Sequence, residues 1–331
     1  MLMNPRFMYF FSMLLLSLMI VISSNSWFSA WIGLELNILS FIPILMTKNN
    51  QQLTEASLKY FLTQALASIV FIFSALFSLT FSSPFIIMLM MSLLLKLGSS
   101  PFHMWFPVVA EGLSWNKFLI LATVQKISPL LLLTFISFTY TKIILTAALL
   151  SGITGGVGGF NLNLLRSMMA FSSINHMGWL LLALIINNSM MWIYFGIYII
   201  ILSSIVQMFS YYQLTSVPQI NSSLSLNPMI KLICFMNMFS LSGLPPFLGF
   251  VPKWLIIKNA SAMMMIITLM GLIVSTLITL YYYMRISFNS NLLYSKSMWN
   301  KKLNFKMNIF NIFLSSVSIF GMFLCNWIYF L

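Results

Sequence analysis

Four charged side chains lie inside long apolar runs of this sequence, and all belong to residue types that can bind and release protons. They are Glu35, Lys96, Lys126 and Lys253. A charge near the centre of a membrane-spanning helix costs about 2.5–3.5 kcal/mol on insertion scales, so we expect all four to face the interior of a helix bundle. Burial destabilises the charged form of an amine, and a nearby carboxylate stabilises it. Lysines whose protonation can be switched in this way could carry protons.

Residues that interrupt helices lie beside each of the three lysines. Proline lacks the N–H that an α-helix needs, and glycine loosens the backbone. Carbonyl groups freed at such positions can hold water where a regular helix could not, so we predict helix breaks next to the amines. Snorkelling to the membrane surface, or a structural ion pair, is the alternative for each lysine. The breaking residues are Gly98 and Pro101 near Lys96, Pro129 near Lys126, and Gly243, Pro245 and Pro246 near Lys253.

Two other residue types fit the same chemistry. Glu35 is the carboxylate expected to modulate one of the lysines, and spacing does not identify which. His176 follows Ser172, Ser173 and Asn175 in a predicted span. Its imidazole could relay protons or could be a hydrogen-bonded side chain of the core, and both interpretations stay open.

The composition identifies the environment of these residues. Hydrophobic residues make up 60% of the 331 positions and charged residues only 6%, whereas soluble domains carry about 25%. The net charge of +13 comes from basic residues placed one or two at a time between apolar runs, not clustered on a face that could bind nucleic acid. Neither Cys234 nor Cys325 has metal-ligand spacing, and no nucleotide-binding or iron–sulfur motif occurs. We expect a membrane protein with no nucleic-acid partner, no metal and no cofactor of its own.

Long apolar runs without alternation predict an all-α polytopic protein, in one membrane domain of about eleven transmembrane helices. The first run, after Arg6, is interpreted as a span rather than a signal peptide because no cleavage site follows it. The fourth and ninth spans are too long for a simple crossing and contain the predicted breaks beside Lys96 and Lys253. The predicted spans are 7–22, 27–46, 58–81, 84–110, 117–138, 142–161, 167–187, 190–213, 229–258, 261–284 and 307–330.

Basic residues in the predicted loops test this arrangement independently. With the N-terminus on the cytoplasm-like side, that side receives eleven lysines and arginines and the other side two, as the positive-inside rule requires. Residues 7–138 and 142–285 then form two five-helix repeats, and the helix 307–330 follows them. An odd number of spans inverts the second repeat relative to the first. Inverted repeats with broken helices point to an ion or substrate site near the membrane midplane.

Four stretches of the sequence resemble the antiporter-like core subunits of mitochondrial respiratory complex I, a NADH dehydrogenase. They cover residues 55–65, 95–107, 169–179 and 241–254, and they keep the order of that family. Lys253 fits the subunit 2 branch better than the subunit 4 branch, in which a glutamate usually stands there. The resemblance implies a multi-pass protein of the mitochondrial inner membrane, with its N-terminus in the matrix, that couples quinone reduction elsewhere in the complex to proton pumping.

The same resemblance implies roles for individual residues. Glu35 and Lys96 match a glutamate–lysine pair of the family. Lys126 matches a central lysine, Lys253 a distal lysine, and His176 a polar position between those two. Together they would form a hydrated axis parallel to the membrane. NADH, FMN, iron–sulfur clusters and ubiquinone would bind to other subunits, and the expected partners are antiporter-like subunit 4, subunit 4L and membrane lipids.

Two rival functions are compatible with the same residues. A stand-alone cation/proton antiporter would exchange ions in liposomes without partner subunits. A structural spacer would transmit motion along the complex without conducting protons, and its lysines could be neutralised one at a time with little loss of pumping. The sequence does not separate a conducting axis from a charged but non-conducting one.

Overall fold

The computed structural model describes residues 5–46, 51–78, 82–224, 228–292 and 313–322. These residues form helices and no strand, which confirms the helical class. Eight segments are long and apolar enough to cross a membrane, and three shorter apolar helices accompany them. The predicted total of eleven spans stays a prediction. The helices are α1 (Pro5–Ile22), α2 (Trp27–Leu45), α3 (Gln51–Phe77), α4 (Ser82–Leu97), α5 (Trp105–Gly112), α6 (Trp115–Ala122), α7 (Val124–Ile136), α8 (Thr141–Gly158), α9 (Leu165–Ile186), α10 (Asn188–Tyr211), α11 (Val217–Leu224), α12 (Pro228–Ser242), α13 (Phe250–Ala262), α14 (Ile266–Leu292) and α15 (Phe313–Met322).

Serine and threonine hydroxyls inside these apolar helices bond to the backbone of their own helix. Ser17 donates to the Leu14 carbonyl at 2.6 Å, and Ser74 donates to the Phe71 carbonyl at 2.8 Å. Such bonds matter in hydrocarbon because no water is present to satisfy a polar group. Hydroxyl-bearing residues can therefore occupy apolar helices without requiring a partner on another helix.

The chain divides into two compact units, residues 1–147 and 148–331, called unit 1 and unit 2 below. In unit 1, α2 packs between α1 and α3, while α7 packs against α1, α2 and α4. The α1–α2 contact is close because Gly33 has no side chain: a Cβ there would lie 2.6 Å from the Val21 side chain. Lys117 of α6 is buried and donates a 2.6 Å bond to the carbonyl of Leu45, the last residue of α2. This amine therefore caps a helix C-terminus, where a cation also complements the helix dipole.

The predicted fourth span, 84–110, is two helices in the structure. Gly98 has a φ of +67°, a conformation open to glycine and costly for residues with a Cβ, and it follows the last residue of α4. Pro101 lies in the same non-helical segment between α4 and α5. The indole N–H of Trp105 donates to the carbonyl of Leu95 at 3.0 Å, and the same carbonyl accepts the Gly98 backbone N–H at 3.1 Å, so both bonds hold the end of α4.

The interruption near Lys126 lies at a different residue from the one predicted. Pro129 is inside α7, and the helical run 115–136 is interrupted at Thr123. The prediction that Pro129 breaks the helix was therefore wrong. Proline removes a hydrogen bond to the carbonyl four residues earlier and crowds that turn, so the distortion falls on the N-terminal side of the ring. Thr123 lies two residues before the carbonyl that Pro129 leaves unpaired, and directly before the helix that carries Lys126.

Unit 2 is built around α9, of which nearly every residue is buried. Helices α10, α13 and α14 pack against it, and α8 approaches closely through Gly155, since a Cβ there would collide with the backbone of Asn175. The predicted ninth span, 229–258, is again two helices, α12 and α13. Gly243, with a φ of +82°, follows α12, and Pro245 and Pro246 lie in the segment before α13.

Other differences from the predicted spans concern one additional helix and several helix ends. The short helix α11 was not predicted, α3 begins at Gln51 rather than near residue 58, and α14 continues to Leu292 rather than ending near residue 284. The predicted last span, 307–330, is described only over α15, so the rest of that prediction and Cys325 lie outside the described residues.

Candidate functional site

Lys96 and Glu35 lie close together in unit 1. The Lys96 side chain, at the end of α4, is only 7% exposed, and the Glu35 carboxylate of α2 acts on it electrostatically. Within the described residues, neither the Lys96 Nζ nor the buried Oε2 of Glu35 has a hydrogen-bond partner. The two groups thus sense each other's charge without being held in a direct ion pair.

Lys126 occupies the first turn of α7, directly after the interruption at Thr123. Its backbone N–H donates to the Thr123 carbonyl at 3.1 Å, and its side chain is 3% exposed. The ammonium lies 4.9 Å from the centre of the Phe106 ring, within the range of a cation–π interaction. The aromatic face thus stabilises the charged amine at a position with little access to bulk water.

A small cavity of about 20 Å³ joins the surroundings of Lys96 and Lys126. A void of roughly 10–15 Å³ suffices for one water molecule, so this cavity has room for a single water. Its walls are unusually polar for a membrane interior. The polar residues that line it, besides the two lysines, are Asn37, Tyr60, Gln64, Gln125 and Ser128.

Hydrogen bonds between these wall residues leave two of their polar atoms unused. The Asn37 amide donates to the Ser128 hydroxyl at 3.1 Å, and the Tyr60 hydroxyl donates to Gln125 Oε1 at 3.1 Å. Among the described residues, Asn37 Oδ1 and Gln125 Nε2 then have no partner, as is also true of Lys96 Nζ. A buried water typically makes about three hydrogen bonds to such groups. One acceptor and two donors therefore line a cavity of the size of one water.

Gln64 supports this arrangement from α3. Its side-chain Nε2 donates to the backbone carbonyl of Lys96 at 3.4 Å, one of the carbonyls exposed where α4 ends. Gln64, Gln125 and Asn37 were not among the site residues predicted from the sequence. Their signal was present nevertheless, because carboxamides are rare in apolar runs, and Asn37 and Gln125 are close in sequence to Glu35 and Lys126.

The side chain of Lys253, in unit 2, donates hydrogen bonds to backbone carbonyls at the helix break that precedes α13. Its Nζ donates to the carbonyl of Ser242 at 2.7 Å and to that of Leu241 at 3.4 Å. These carbonyls belong to the last two residues of α12, and carbonyls at a helix C-terminus have no N–H partner within the helix. The ammonium also lies 5.9 Å from the centre of the Trp179 ring. Gly243 leaves room for the amine, because a Cβ there would come within 3.1 Å of Nζ.

His176 lies on α9, three residues before Trp179, and is 9% exposed. Its Nδ1 shares a 2.8 Å hydrogen bond with the Tyr194 hydroxyl, and its ring centre is 5.0 Å from that of Tyr198. Residues three apart on a helix share a face, so His176 and the aromatic partner of Lys253 belong to the same side of α9.

The structure thus places Glu35, Lys96 and Lys126 in one region of unit 1. His176 and Lys253 both lie in unit 2, and Trp179, on the same face of α9 as His176, is the residue that contacts the Lys253 ammonium. Over the ranges that the structure describes, no three His, Cys, Asp or Glu side chains are grouped as a metal site. Cys234 is a free, buried thiol on α12. In unit 1, two amines and a carboxylate can bind protons. In unit 2, an amine and an imidazole can do so.

Comparisons with known proteins give the family. The model of the family described as NADH:quinone oxidoreductase/Mrp antiporter matches residues 24–85 and 77–279. The chain is 45% identical over 333 residues to NADH-ubiquinone oxidoreductase chain 2 of Anopheles gambiae, with 97% of each chain covered.

Solved structures agree with this match. A chain of respiratory complex I from Thermus thermophilus superimposes with a TM-score of 0.78 at 25% identity, over 86% of this chain and 70% of that one. A chain of the Mrp complex from Dietzia sp. superimposes with a TM-score of 0.72 over 82% of this chain and 57% of that one. The two sequences are only 16% identical, so this similarity shows a shared fold alone. The chain belongs to the NADH:quinone oxidoreductase/Mrp antiporter family, in the branch of NADH-ubiquinone oxidoreductase chain 2.

Proposed function

We propose that the chain is a core membrane subunit of a proton-translocating NADH:ubiquinone oxidoreductase, and that Glu35, Lys96, Lys126, His176 and Lys253 carry its protons. The supporting observation is the cavity for one water between Lys96 and Lys126, whose walls present otherwise unused polar atoms. Buried polar atoms normally have a partner in the protein or in ordered water, so these atoms favour a water bound in the cavity. The relatives' name supplies the reaction to which this proton movement would be coupled.

In unit 1, a single water would link the two amines. The Lys96 ammonium donates a proton to the water, and the water passes one of its own to the neutral amine of Lys126. Asn37 Oδ1 accepts from the water and Gln125 Nε2 donates to it, so both orient it. The Glu35 carboxylate changes how strongly Lys96 holds its proton, and a movement of α2 relative to α4 would therefore switch the donor.

In unit 2, the carbonyls of Leu241 and Ser242 favour the charged form of Lys253, because hydrogen bonds to an ionised group are about twice as strong as neutral ones. His176 would exchange protons in the same unit through the nitrogen that does not contact Tyr194. Unit 2 thus holds an amine whose proton points at backbone carbonyls and an imidazole that can be either acid or base.

The wider setting forms part of the proposal. The chain would lie in the mitochondrial inner membrane with its N-terminus in the matrix, beside subunits 4 and 4L and membrane lipids. NADH, FMN, the iron–sulfur clusters and ubiquinone would be held by other subunits. The parallel between Gly98 and Gly243, each with a positive φ after a helix that ends next to a lysine site, supports two related five-helix repeats over residues 7–138 and 142–285.

Replacing Lys126 by alanine in the assembled complex tests this function. In proteoliposomes, Lys126→Ala should depress proton pumping and coupled NADH:ubiquinone turnover while the complex still assembles. Lys59→Ala is the matched control, since Lys59 is an exposed lysine of unit 1. Normal pumping by an assembled Lys126→Ala complex would refute the role, and would favour the structural spacer.

The stand-alone antiporter remains the rival within the family. It predicts that the isolated chain in liposomes exchanges a cation for protons, and that Lys126→Ala abolishes this exchange. Absence of exchange by the isolated chain, together with loss of pumping in the assembled variant, would favour the complex subunit.

A further inference from the structure

The helix α15, which takes no part in the proposed proton path, packs against the break between α12 and α13. This break segment covers residues 243–249. Within it, Leu248 donates its backbone N–H to the carbonyl of Ser318 in α15, at 3.4 Å. The hydroxyl of the same serine lies 2.6 Å from Oδ1 of Asn237, on α12. One residue of α15 therefore bonds both to the helix before the break and to the break segment itself.

Buried polar groups in an apolar bundle need such partners. Asn237 and Ser318 are fully buried, and a buried backbone N–H outside a helix needs an acceptor from elsewhere. The Ser318 carbonyl has two lone pairs, so it can accept from Leu248 without giving up a bond inside α15. The Ser318 hydroxyl is also 2.8 Å from the Ser315 carbonyl of its own helix. Because the hydroxyl reaches a second helix as well, the contact between α12 and α15 is specific rather than only apolar.

Two glycines allow the break segment to pack closely against the neighbouring helices. Gly321 is three residues after Ser318, so the two share one face of α15. A Cβ on Gly321 would collide with the side chain of Leu248, and a Cβ on Gly249 would collide with the Ser240 carbonyl of α12. The segment thus lies in close contact with both α12 and α15, which leaves it little room to shift.

The bonds of Ser318 hold the two elements that meet at Lys253. Asn237 lies about one helical turn before Leu241 on α12, and the Leu241 carbonyl is one of the two that accept from the amine. The Leu248 carbonyl accepts a 3.3 Å bond from a backbone N–H in the first turn of α13, the turn that carries Lys253. The bonds from the amine to the end of α12 therefore depend on how α12 and α13 are placed, and Ser318 contacts the chain on both sides of the break.

We propose that Ser318 and Asn237 are positioning residues for Lys253. Through them, α15 holds the break in the shape that presents the last carbonyls of α12 to the amine. The inference rests on the proposed proton-carrying function, because it assigns the two residues a role in proton transfer by Lys253. They act through the geometry of the break, and the amine alone exchanges the proton.

Single substitutions in the assembled complex test this role. Ser318→Ala removes the hydroxyl that bonds to Asn237, and Ser318→Thr keeps it. Ser316→Ala is the matched control, since the Ser316 hydroxyl donates at 2.8 Å to the Phe313 carbonyl of its own helix. Each variant is reconstituted in proteoliposomes, and proton pumping and coupled NADH:ubiquinone turnover are measured across a range of pH.

We expect Ser318→Ala to lower coupled turnover by about fivefold, the factor that one hydrogen bond is typically worth. The pH profile of turnover should change as well, because the carbonyl partners of the Lys253 amine affect how firmly it holds its proton. Ser318→Thr should retain both the rate and the profile, and Ser316→Ala should change neither. A slowed Ser318→Ala complex with an unchanged pH profile would assign the serine a packing role and overturn the inference.

If Ser318→Ala fails to assemble, Asn237→Leu tests the same bond from α12. Leucine has a similar volume, and the Ser318 hydroxyl keeps its bond to the Ser315 carbonyl. Asn237 Nδ2 has no partner among the described residues, so the loss of the amide leaves no new unpaired group at this position. The same changes of turnover and of pH profile are expected. An assembled Asn237→Leu complex that behaves like the unsubstituted one would equally overturn the inference.

The outcome also separates this inference from the function on which it rests. If Ser318→Ala has normal turnover and a normal pH profile while Lys126→Ala loses pumping, the positioning role is wrong and the proposed function stands. If Lys126→Ala also pumps normally, the proposed function fails and the positioning role fails with it.

Discussion

The Lys253 ammonium donates a 2.7 Å hydrogen bond to the carbonyl of Ser242, the last residue of the helix that precedes it. The same amine is within 3.1 Å of the position that a Cβ on Gly243 would occupy. The Lys253 ammonium, the helix break after Ser242 and Gly243 therefore depend on one another. The amine compensates the carbonyls that the break exposes, and the break provides the space for the amine.

This arrangement makes Lys253 important for stability as well as for proton transfer. Lys253→Met would leave the Ser242 carbonyl buried without its donor, which costs about 1–3 kcal/mol. We expect a lower thermal midpoint of the assembled complex together with weaker pumping. Lys258→Met, an exposed lysine of the same helix α13, should change neither. Equal midpoints for the two variants would show that the carbonyls do not depend on the amine.

Gly98 is predicted to resist substitution because of its backbone conformation. Its φ is +67°, and an added Cβ would lie 3.1 Å from Cβ of Phe106. Gly98→Ala should destabilise the complex by about 1–2 kcal/mol from the left-handed conformation alone. The control is Gly196→Ala in α10, where the added Cβ meets no other part of the described chain within 4 Å beyond the neighbouring backbone of its own helix, and alanine is the better helix former by roughly 1 kcal/mol. The two changes should shift the thermal midpoint in opposite directions.

The membrane-spanning character and the lysine-bearing breaks could be predicted because each depends on local sequence. About twenty apolar residues suffice to span a bilayer, and Gly98 and Gly243 stand where the backbone leaves the helix. The interruption at Thr123 could not be predicted in the same way, since Thr123 is not a helix breaker and Pro129, six residues later, lies inside α7. The cavity depends on the bond between Asn37 and Ser128, which are 91 positions apart, and such pairs are created by packing between helices.

The wall of the cavity offers a test of the water that we place between the amines. Gln125→Leu keeps a similar volume but removes the Nε2 donor and the acceptor of the Tyr60 hydroxyl. We expect coupled turnover to fall by about tenfold, with assembly retained. Gln52→Leu is the control, because Gln52 is an exposed carboxamide of unit 1. Unchanged pumping in an assembled Gln125→Leu complex would argue against an oriented water at this position.

The electrostatic link between Glu35 and Lys96 can be measured by a double-mutant cycle. Glu35→Gln removes the charge with almost no change of shape, and Lys96→Met removes the amine. If the carboxylate acts through this amine, the two losses of coupled turnover will not add, and the interaction will be about 0.5–3 kcal/mol when the turnover rates are converted to free energies. The same cycle between Glu55, an exposed acid of α3, and Lys96 should give additive losses. If the losses of coupled turnover for Glu35→Gln and Lys96→Met were also additive, the carboxylate would influence proton transfer by a route that does not include Lys96. The donor switch proposed for unit 1 would then have to be abandoned.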